Sequence, residues 1–407
     1  MKFEAPRGTH DILPAEQPRW QLVRDAASDL CARYGYRRID TPAFEDTELF
    51  LRTSGAGSDV VQKEMYTFTD RGGRSLTLRP EATAPIARAY LHHGLHREPQ
   101  PVKLYTIAPM YRYAAPQRGR YREHWQLSVE AIGSADPALD AELIQLYDEL
   151  LRILGVTGYR LELNSIGDRA CRPAYVEQLE AWLAEHDYVL DDDARQKRAT
   201  SPLRVFDVKD DAVRAALEDA PKIGDSLCAD CRAHFDRVRR YLDAYDVEYE
   251  VVPTLVRGLD YYTRTAFEFM DDAIGAKSSI VGGGRYDYLV EQLGGPATPG
   301  IGFGAGIERL LLSMGEPELP ARELDVFLAV DQRGPREEAV RLLAALRREG
   351  LAAEMDYAGR SLKGQLTQAQ RLHARTTAIW KDGWVVRRRH EQDEQVDGSE
   401  LLERLRA

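Results

Sequence analysis

Cysteine is scarce in this chain: four in 407 residues, at Cys31, Cys171, Cys228 and Cys231. That is too few, and too scattered, for a disulfide framework. Cys228-Ala-Asp-Cys231 followed by His234 looks like half a zinc site, but no second pair follows at finger spacing. The expectation is a turn with two reduced thiols, no direct structural metal site and no zinc. Long apolar runs are also missing, so no segment has the roughly 18 or more consecutive apolar residues that span a bilayer. The opening Met-Lys-Phe-Glu-Ala-Pro-Arg lacks the apolar core of a secretory signal, and a cytoplasmic location is expected. Familiar phosphate and hydrolase signatures are absent too. There is no Gly-x-x-x-x-Gly-Lys-Ser/Thr, no His-Glu-x-x-His and no Gly-x-Ser-x-Gly. Gly302-Phe-Gly-Ala-Gly306 falls short of a dinucleotide fingerprint, since its third glycine comes one position early and no βαβ unit surrounds it.

What is present is a globular composition, 43% hydrophobic and 30% charged, in a chain long enough for two or three domains. The net charge of −11 argues against wholesale wrapping of nucleic acid. Residues 323–407 hold fifteen basic and fifteen acidic side chains, so the whole excess lies in residues 1–322. A nucleic-acid partner would be held by local stripes, because screening confines phosphate attraction to about 8–10 Å.

The pattern along the chain predicts an N-terminal helix after Asp11-Ile-Leu-Pro14 and an extended Arg38–Pro42. A hairpin of Glu64–Asp70 and Ser75–Arg79 follows, closed by Arg71-Gly-Gly-Arg74. Val102–Tyr113 and Glu123–Ile132 read as strands. Asp136-Pro137 then starts a helix carrying Leu139, Leu143, Leu146, Leu150 and Leu154, which Gly155 stops. Residues 169–246 change to an acidic, helix-like insertion. Strands return at Tyr249–Pro253, Thr263–Phe269 and 278–281, and a glycine-rich stretch leads into a helix from about Ala305. The remainder, 323–407, reads βαβαβ with one more strand, a small α/β domain. The expected domains are a core of 1–168 with 247–318, the insertion 169–246, and the C-terminal unit 323–407.

Chemistry concentrates in the loop between the two paired strands. Arg112, Arg118, Arg120 and Arg122 put +4 into eleven residues with no acid among them, interleaved with Tyr113 and Tyr121. Guanidinium forks suit phosphate and carboxylate oxygens, and the rings can stack on bases. On the following strand, alternation sends Trp125, Leu127, Val129 and Ala131 one way and His124, Gln126, Ser128 and Glu130 the other. That polar face is either washed by solvent or the floor of a pocket that grips both ends of a small zwitterion.

Arg257-Gly-Leu-Asp-Tyr-Tyr262 resolves these alternatives. With Leu-Arg-Pro-Glu-Ala-Thr at 78–83, Pro-Arg-Gly-Thr at 6–9 and Gly-Phe-Gly-Ala-Gly-Ile-Glu-Arg309, the chain resembles the histidyl members of the class II aminoacyl-tRNA synthetases along its whole length. The resemblance implies an α+β fold: an antiparallel catalytic sheet, a helical insertion and a C-terminal α/β anticodon-binding domain. It also implies a homodimer with Pro42 in its interface motif. The implied activity is ATP- and magnesium-dependent formation of histidyl-adenylate, then transfer to the 3′ end of tRNA(His). By motif, Arg112 and Arg257 would act at the reacting phosphate and carboxylate. Arg120, His124 and Arg309 would hold ATP. Glu81, Ala82, Thr83 and Gln126 would bind the amino end of histidine, while Glu130, Tyr261 and Tyr262 would line its imidazole pocket. Gln117 and Arg122 would face tRNA.

One departure stands out. Ala114-Ala115 occupy the place of the usual acid and arginine before Pro116-Gln117, and His124 replaces the usual phenylalanine. Adenine must then be read differently. The same departure suits a rival reading, a non-catalytic synthetase paralogue serving as regulatory subunit of ATP phosphoribosyltransferase. The intact Arg257–Tyr262 segment and the complete C-terminal unit weigh against it.

Overall fold

The computed structural model describes residues 3–406 except 56, 57, 59, 276–278, 318–322, 332 and 390. The expected strand start at 278 and core end at 318 lie outside the described residues. The chain divides into two compact units, Met1–Pro317 and Glu318–Ala407.

The first unit is built on an eight-stranded sheet. Its strands are β1 (Arg37–Arg38), β2 (Val102–Tyr111), β3 (Glu123–Ile132), β4 (Tyr159–Ser165), β5 (Glu250–Val251), β6 (Thr263–Asp271), β7 (Ser279–Arg285) and β8 (Gly300–Gly306). They lie in the order β1-β2-β3-β8-β7-β6-β4-β5. The six central strands pair antiparallel, as expected, while β1 and β5 join parallel at the two edges. The hairpin 66–78 forms a separate three-stranded sheet with Phe44–Asp46.

One face of the large sheet is apolar because Leu127, Val129 and Ala131 of β3, Phe267 and Phe269 of β6 and Ile301 and Phe303 of β8 converge there. The helices α1 (Gln17–Arg33) and α3 (Pro137–Ile153) cover it; α2 is Thr83–His92. The start of α3 is set as its sequence demands. Asp136 accepts the Ala138 N–H at 2.9 Å, Pro137 fills the first turn, and Gly155 ends the run at φ +69°. Leu139, Leu143, Leu146 and Leu150 are buried against the sheet. At fully buried Asp140 the same helix reaches a polar knot: His234 Nε2 at 2.9 Å, Thr265 Oγ1 at 2.6 Å, and both Nε and Nη2 of Arg285.

The insertion is helical as expected. Its own apolar cluster runs from Tyr175 to Ile223, beginning on α4 (Arg172–Glu185). The helix α5 (Ala229–Ala244) instead packs on α3, burying Val238 and Leu242 in the main core. Its amphipathic face, which sequence alone could not aim, belongs to the large sheet.

The second unit is a five-stranded sheet. Its strands Ala353–Met355, Val326–Ala329 and Thr376–Trp380 are parallel, and Trp384–Arg388 and Glu394–Val396 continue antiparallel. Helices Arg336–Arg348 and Leu362–Arg371 fall where the periodicity puts them. The short strand 394–396 and the helix Leu401–Arg406 go beyond the expected pattern. Among the described residues, no helix is long and apolar enough to cross a membrane.

Candidate active site

The glycine-rich stretches are strands, and the second leads into the helix Ile307–Ser313, close to where one was expected. β7 runs Ser-Ile-Val-Gly-Gly-Gly-Arg and β8 runs Gly-Ile-Gly-Phe-Gly-Ala-Gly. Glycine ordinarily weakens a strand, and here it marks close approach by other groups. A Cβ on Gly282 would stand 2.5 Å from Arg257 Cζ, and one on Gly284 2.9 Å from Tyr262 Cδ1. On Gly302 it would meet Glu130 Cδ at 2.5 Å, and on Gly304 Gln126 Cδ at 2.8 Å. These side chains lie flat across the strands because nothing projects from them.

Above this floor lies a cavity of about 360 Å³. Its wall includes ten residues expected from sequence: Glu81, Thr83, Arg112, Arg120, His124, Gln126, Arg257, Tyr261, Tyr262 and Arg309. They arrive from four separate parts of the chain, so the motifs do converge. The register explains how β3 contributes: Gln126 pairs with Gly306, Ser128 with Gly304 and Glu130 with Gly302. The polar face of β3 is therefore an interior floor and not a solvated surface.

One end of the cavity is cationic. Arg112 donates through Nε to the Pro80 carbonyl at 2.7 Å, and Arg120 pairs with Glu64 at 3.3 Å. Arg309 donates to the carbonyls of Gly119 and Ser279. Burial first, then the charges of Arg112, Arg309 and Arg120, hold His124 down to about 3. Its ring is neutral, and its buried Nδ1 has no partner among the described residues. Ala114 is a buried residue of the same cavity wall.

The other end is a chain of hydroxyls and carboxyls. Glu81 accepts the N–H groups of Thr83 and Ala84 at 2.6 and 2.9 Å, closing the N-terminus of α2. The Thr83 hydroxyl donates to Glu130 Oε1 at 2.7 Å, and Tyr286 donates to Oε2 at 2.6 Å. Glu130 is completely buried, which pushes it up to about 8 against the pull of those two hydrogen bonds. It lies one hydrogen bond behind Thr83 and not on the wall itself. Ala82 is likewise buried under the wall, as the residue that starts α2. Arg257 forms an ion pair with Glu268 at the edge of this end.

Gln117 and Arg122 are outside the cavity. Gln117 bridges to Arg120 through the backbone, and the Arg122 guanidinium lies 3.7 Å from the centre of the Tyr113 ring. Sequence reasoning missed five charged wall residues: Glu64, Glu268, Glu308, Arg204 and Asp207. Glu308 sits within a recognised motif, and Glu64 and Glu268 on expected strands. Arg204 and Asp207 come from the insertion and carried no local signal. Glu308 accepts the Trp125 N–H at 2.8 Å, and burial pushes it up to about 7.

Known proteins resemble this chain over most of its length. Residues 8–310 match the family model described as histidyl-tRNA synthetase. The chain is 50% identical over 392 residues to a histidine–tRNA ligase of Moorella thermoacetica, covering 96% of this chain and 93% of that one. It is 46% identical over 383 residues to a histidine–tRNA ligase of Natranaerobius thermophilus, covering 93% and 91%. In three dimensions it resembles apo histidyl-tRNA synthetase of S. aureus, at 37% identity and a TM-score of 0.84 over 100% of both chains.

Proposed function

This chain belongs to the histidyl-tRNA synthetase family, and we propose that it joins histidine to tRNA(His) in two steps within this cavity. Histidine first attacks ATP to give histidyl-adenylate and diphosphate. The histidyl group then passes to the 3′ end of the tRNA, releasing AMP. The observation that carries this reading is the polarity of one cavity, with arginines at one end and a buried Glu/Thr/Tyr chain at the other. Relatives over more than nine-tenths of the chain are histidine–tRNA ligases, so the phosphoribosyltransferase-subunit reading is not favoured.

The histidine carboxylate is already ionised, so attack on the α-phosphorus needs no strong base. Placement and charge neutralisation dominate. Arg112 lies against the α-phosphate, Arg120 toward the outer phosphates, and Arg257 at the reacting carboxylate. Glu81, Thr83 and Gln126 receive the amino end. The hydroxyls of Tyr261 and Tyr262 meet the imidazole, with Glu130 accepting through or in place of Thr83. Buried polar groups left unpaired by another side chain are what rejects it. For adenine, neutral His124 offers a ring nitrogen to the exocyclic amine where Ala114 offers nothing, and Arg309 covers the base.

Magnesium enters on the ATP phosphates. Among the described residues, the cavity has no cluster of three ligating side chains, and Glu64 and Glu268 are engaged by arginines. The unit Glu318–Ala407 binds the anticodon side of tRNA, Gln117 and Arg122 touch its acceptor end, and two copies of the chain pair as a cytoplasmic dimer.

The test is histidine-dependent exchange of labelled pyrophosphate into ATP. Exchange with histidine alone among the amino acids supports the reading, and exchange no greater than a no-amino-acid control overturns it.

A further inference from the structure

Three of the four cysteines meet at one point outside the cavity. The Sγ atoms of Cys171, Cys228 and Cys231 and a carboxylate oxygen of Asp168 all lie within 4.8 Å of one another. Cys171, Cys231 and Asp168 are buried, and Cys228 is half-buried at the lip. Sequence spacing hid the group, because the Cys228/Cys231 pair finds its partners 57 residues or more upstream. His234, which stands near the pair in sequence, points away and bonds Asp140.

We propose that these four residues form a structural zinc site. Four ligand atoms around tetrahedral zinc, with Zn–S near 2.3 Å, stand about 3.8 Å apart, so the observed spread closes with small side-chain adjustments. Three thiolates and one carboxylate form a closed set with no open position, the form of a structural site and not a catalytic one. The surroundings suit its negative charge. Cys171 and Cys228 are the residues that start α4 and α5, so two helix N-termini point at the thiolates. Arg264 reaches Asp168 Oδ2 at 3.3 Å while Oδ1 faces Cys171, an outer partner that orients a ligating carboxylate.

The position gives the ion its task. Asp168 and Cys171 lie where the chain leaves β4 for the insertion, and Cys228 and Cys231 where it returns. The zinc clasps the two ends of the segment that carries Arg204 and Asp207 to the cavity wall. The expectation of reduced thiols without zinc is replaced by this assignment.

The experiment reads metal, not ligation, so it stands or falls separately from the proposed activity. Full-length protein from zinc-supplemented medium, dialysed against a weak chelator, should carry about one zinc per chain by plasma mass spectrometry. Cobalt exchanged into it should show thiolate charge-transfer and tetrahedral d–d absorption. Cys228→Ser, at the half-buried lip, should lose zinc at least tenfold faster to EDTA, and Asp168→Cys should hold zinc as well as the parent does. Limited proteolysis within residues 172–227 should quicken when zinc is removed. A parent protein without stoichiometric zinc or the cobalt bands overturns the proposal. So does an intact mass two hydrogens light, which would mean a disulfide, or zinc retention unaffected by Cys228→Ser.

Discussion

Gly282→Ala separates the position of Arg257 from its presence. The added methyl would lie 2.5 Å from Arg257 Cζ, and its three nearest atoms all belong to that guanidinium. Ordinary carbon contacts are about 3.5–4.0 Å, so the guanidinium must retreat by about 1 Å or more. It is the far end of a flexible side chain, so the strand itself need not move, and folding should survive. A displacement of about 1 Å in a positioning group costs on the order of 100-fold, or about 2.7 kcal/mol of barrier at 1.36 kcal/mol per decade. The expected result in pyrophosphate exchange is a kcat lower by about that factor with the histidine KM changed far less, because the charge Arg257 meets develops in the transition state. The melting temperature should stay with the parent's.

The decisive comparison is a double-mutant cycle with Arg257→Ala. If Gly282 matters only through Arg257, adding Gly282→Ala to Arg257→Ala should do nothing further. Fully additive losses would show that the methyl acts on something else in the cavity. Undiminished kcat in Gly282→Ala would remove Arg257 from the reacting centre. A collapse in melting temperature would place the clash in the backbone.

Glu130 is mostly the neutral acid at neutral pH and reaches the cavity only through Thr83. Glu130→Gln should therefore raise the histidine KM by about 2–10-fold, the worth of a neutral hydrogen bond of about 0.5–1.5 kcal/mol, and leave the ATP KM alone. Because the native Glu130 pKa is raised from 4.5 to about 8, the parent is favoured fully below the lower value and loses that advantage as pH rises through the upper one. Denaturation at several pH values should show the Gln variant lacking this decline. Asp140→Asn strands Arg285 beside Asp287 alone and should cost about 3–5 kcal/mol by urea unfolding; no loss would make the knot incidental. The Asp140 carboxylate is held down to about 2 by Arg285 and His234 against its burial, so its contribution is present above 3.8 and fades as pH falls through about 2. His124→Phe keeps a ring against the base but removes the nitrogen. It should raise the ATP KM by about 2–10-fold, the worth of a neutral hydrogen bond of about 0.5–1.5 kcal/mol, and an unchanged KM would mean that stacking alone reads the adenine.

Much of the fold was legible because local chemistry and tertiary packing agree there. The Asp136-Pro137 start, the leucine spacing and Gly155 state the α3 helix completely, and burial of the same leucines follows. The C-terminal strands and helices were legible for the same reason. What sequence could not state is which core an amphipathic helix serves. α5 sits inside a helical, acidic stretch, yet His234 and Val238 turn it toward α3 and β6. Nothing within residues 229–244 distinguishes the two destinations.

The site divides along the same line. Alternation on β3 puts Gln126 and Glu130 on one face, because period-two geometry is local. It could not say how deep that face lies, and Glu130 stands behind Thr83. The glycines mislead for a related reason: in isolation, Gly282-Gly-Gly284 signals a break. Yet Gly282 and Gly284, and Gly302, Gly304 and Gly306, recur at every second position, with Phe303 and Ala305 between the latter packed in the core. A turn has no reason to keep that period. A strand does when its outer face must be empty, so that Arg257, Tyr262, Glu130 and Gln126 can lie across it. Glycine at alternate positions on two paired strands is thus itself a signal for a cavity floor, one carried by the spacing of the residues alone. It predicts that alanine at Gly282 or Gly304 displaces Arg257 or Gln126 before it unsettles the sheet. At Gly284 and Gly302 the methyl would also press on the backbone carbonyls of Thr265 at 2.5 Å and Val129 at 2.8 Å and cost folding stability.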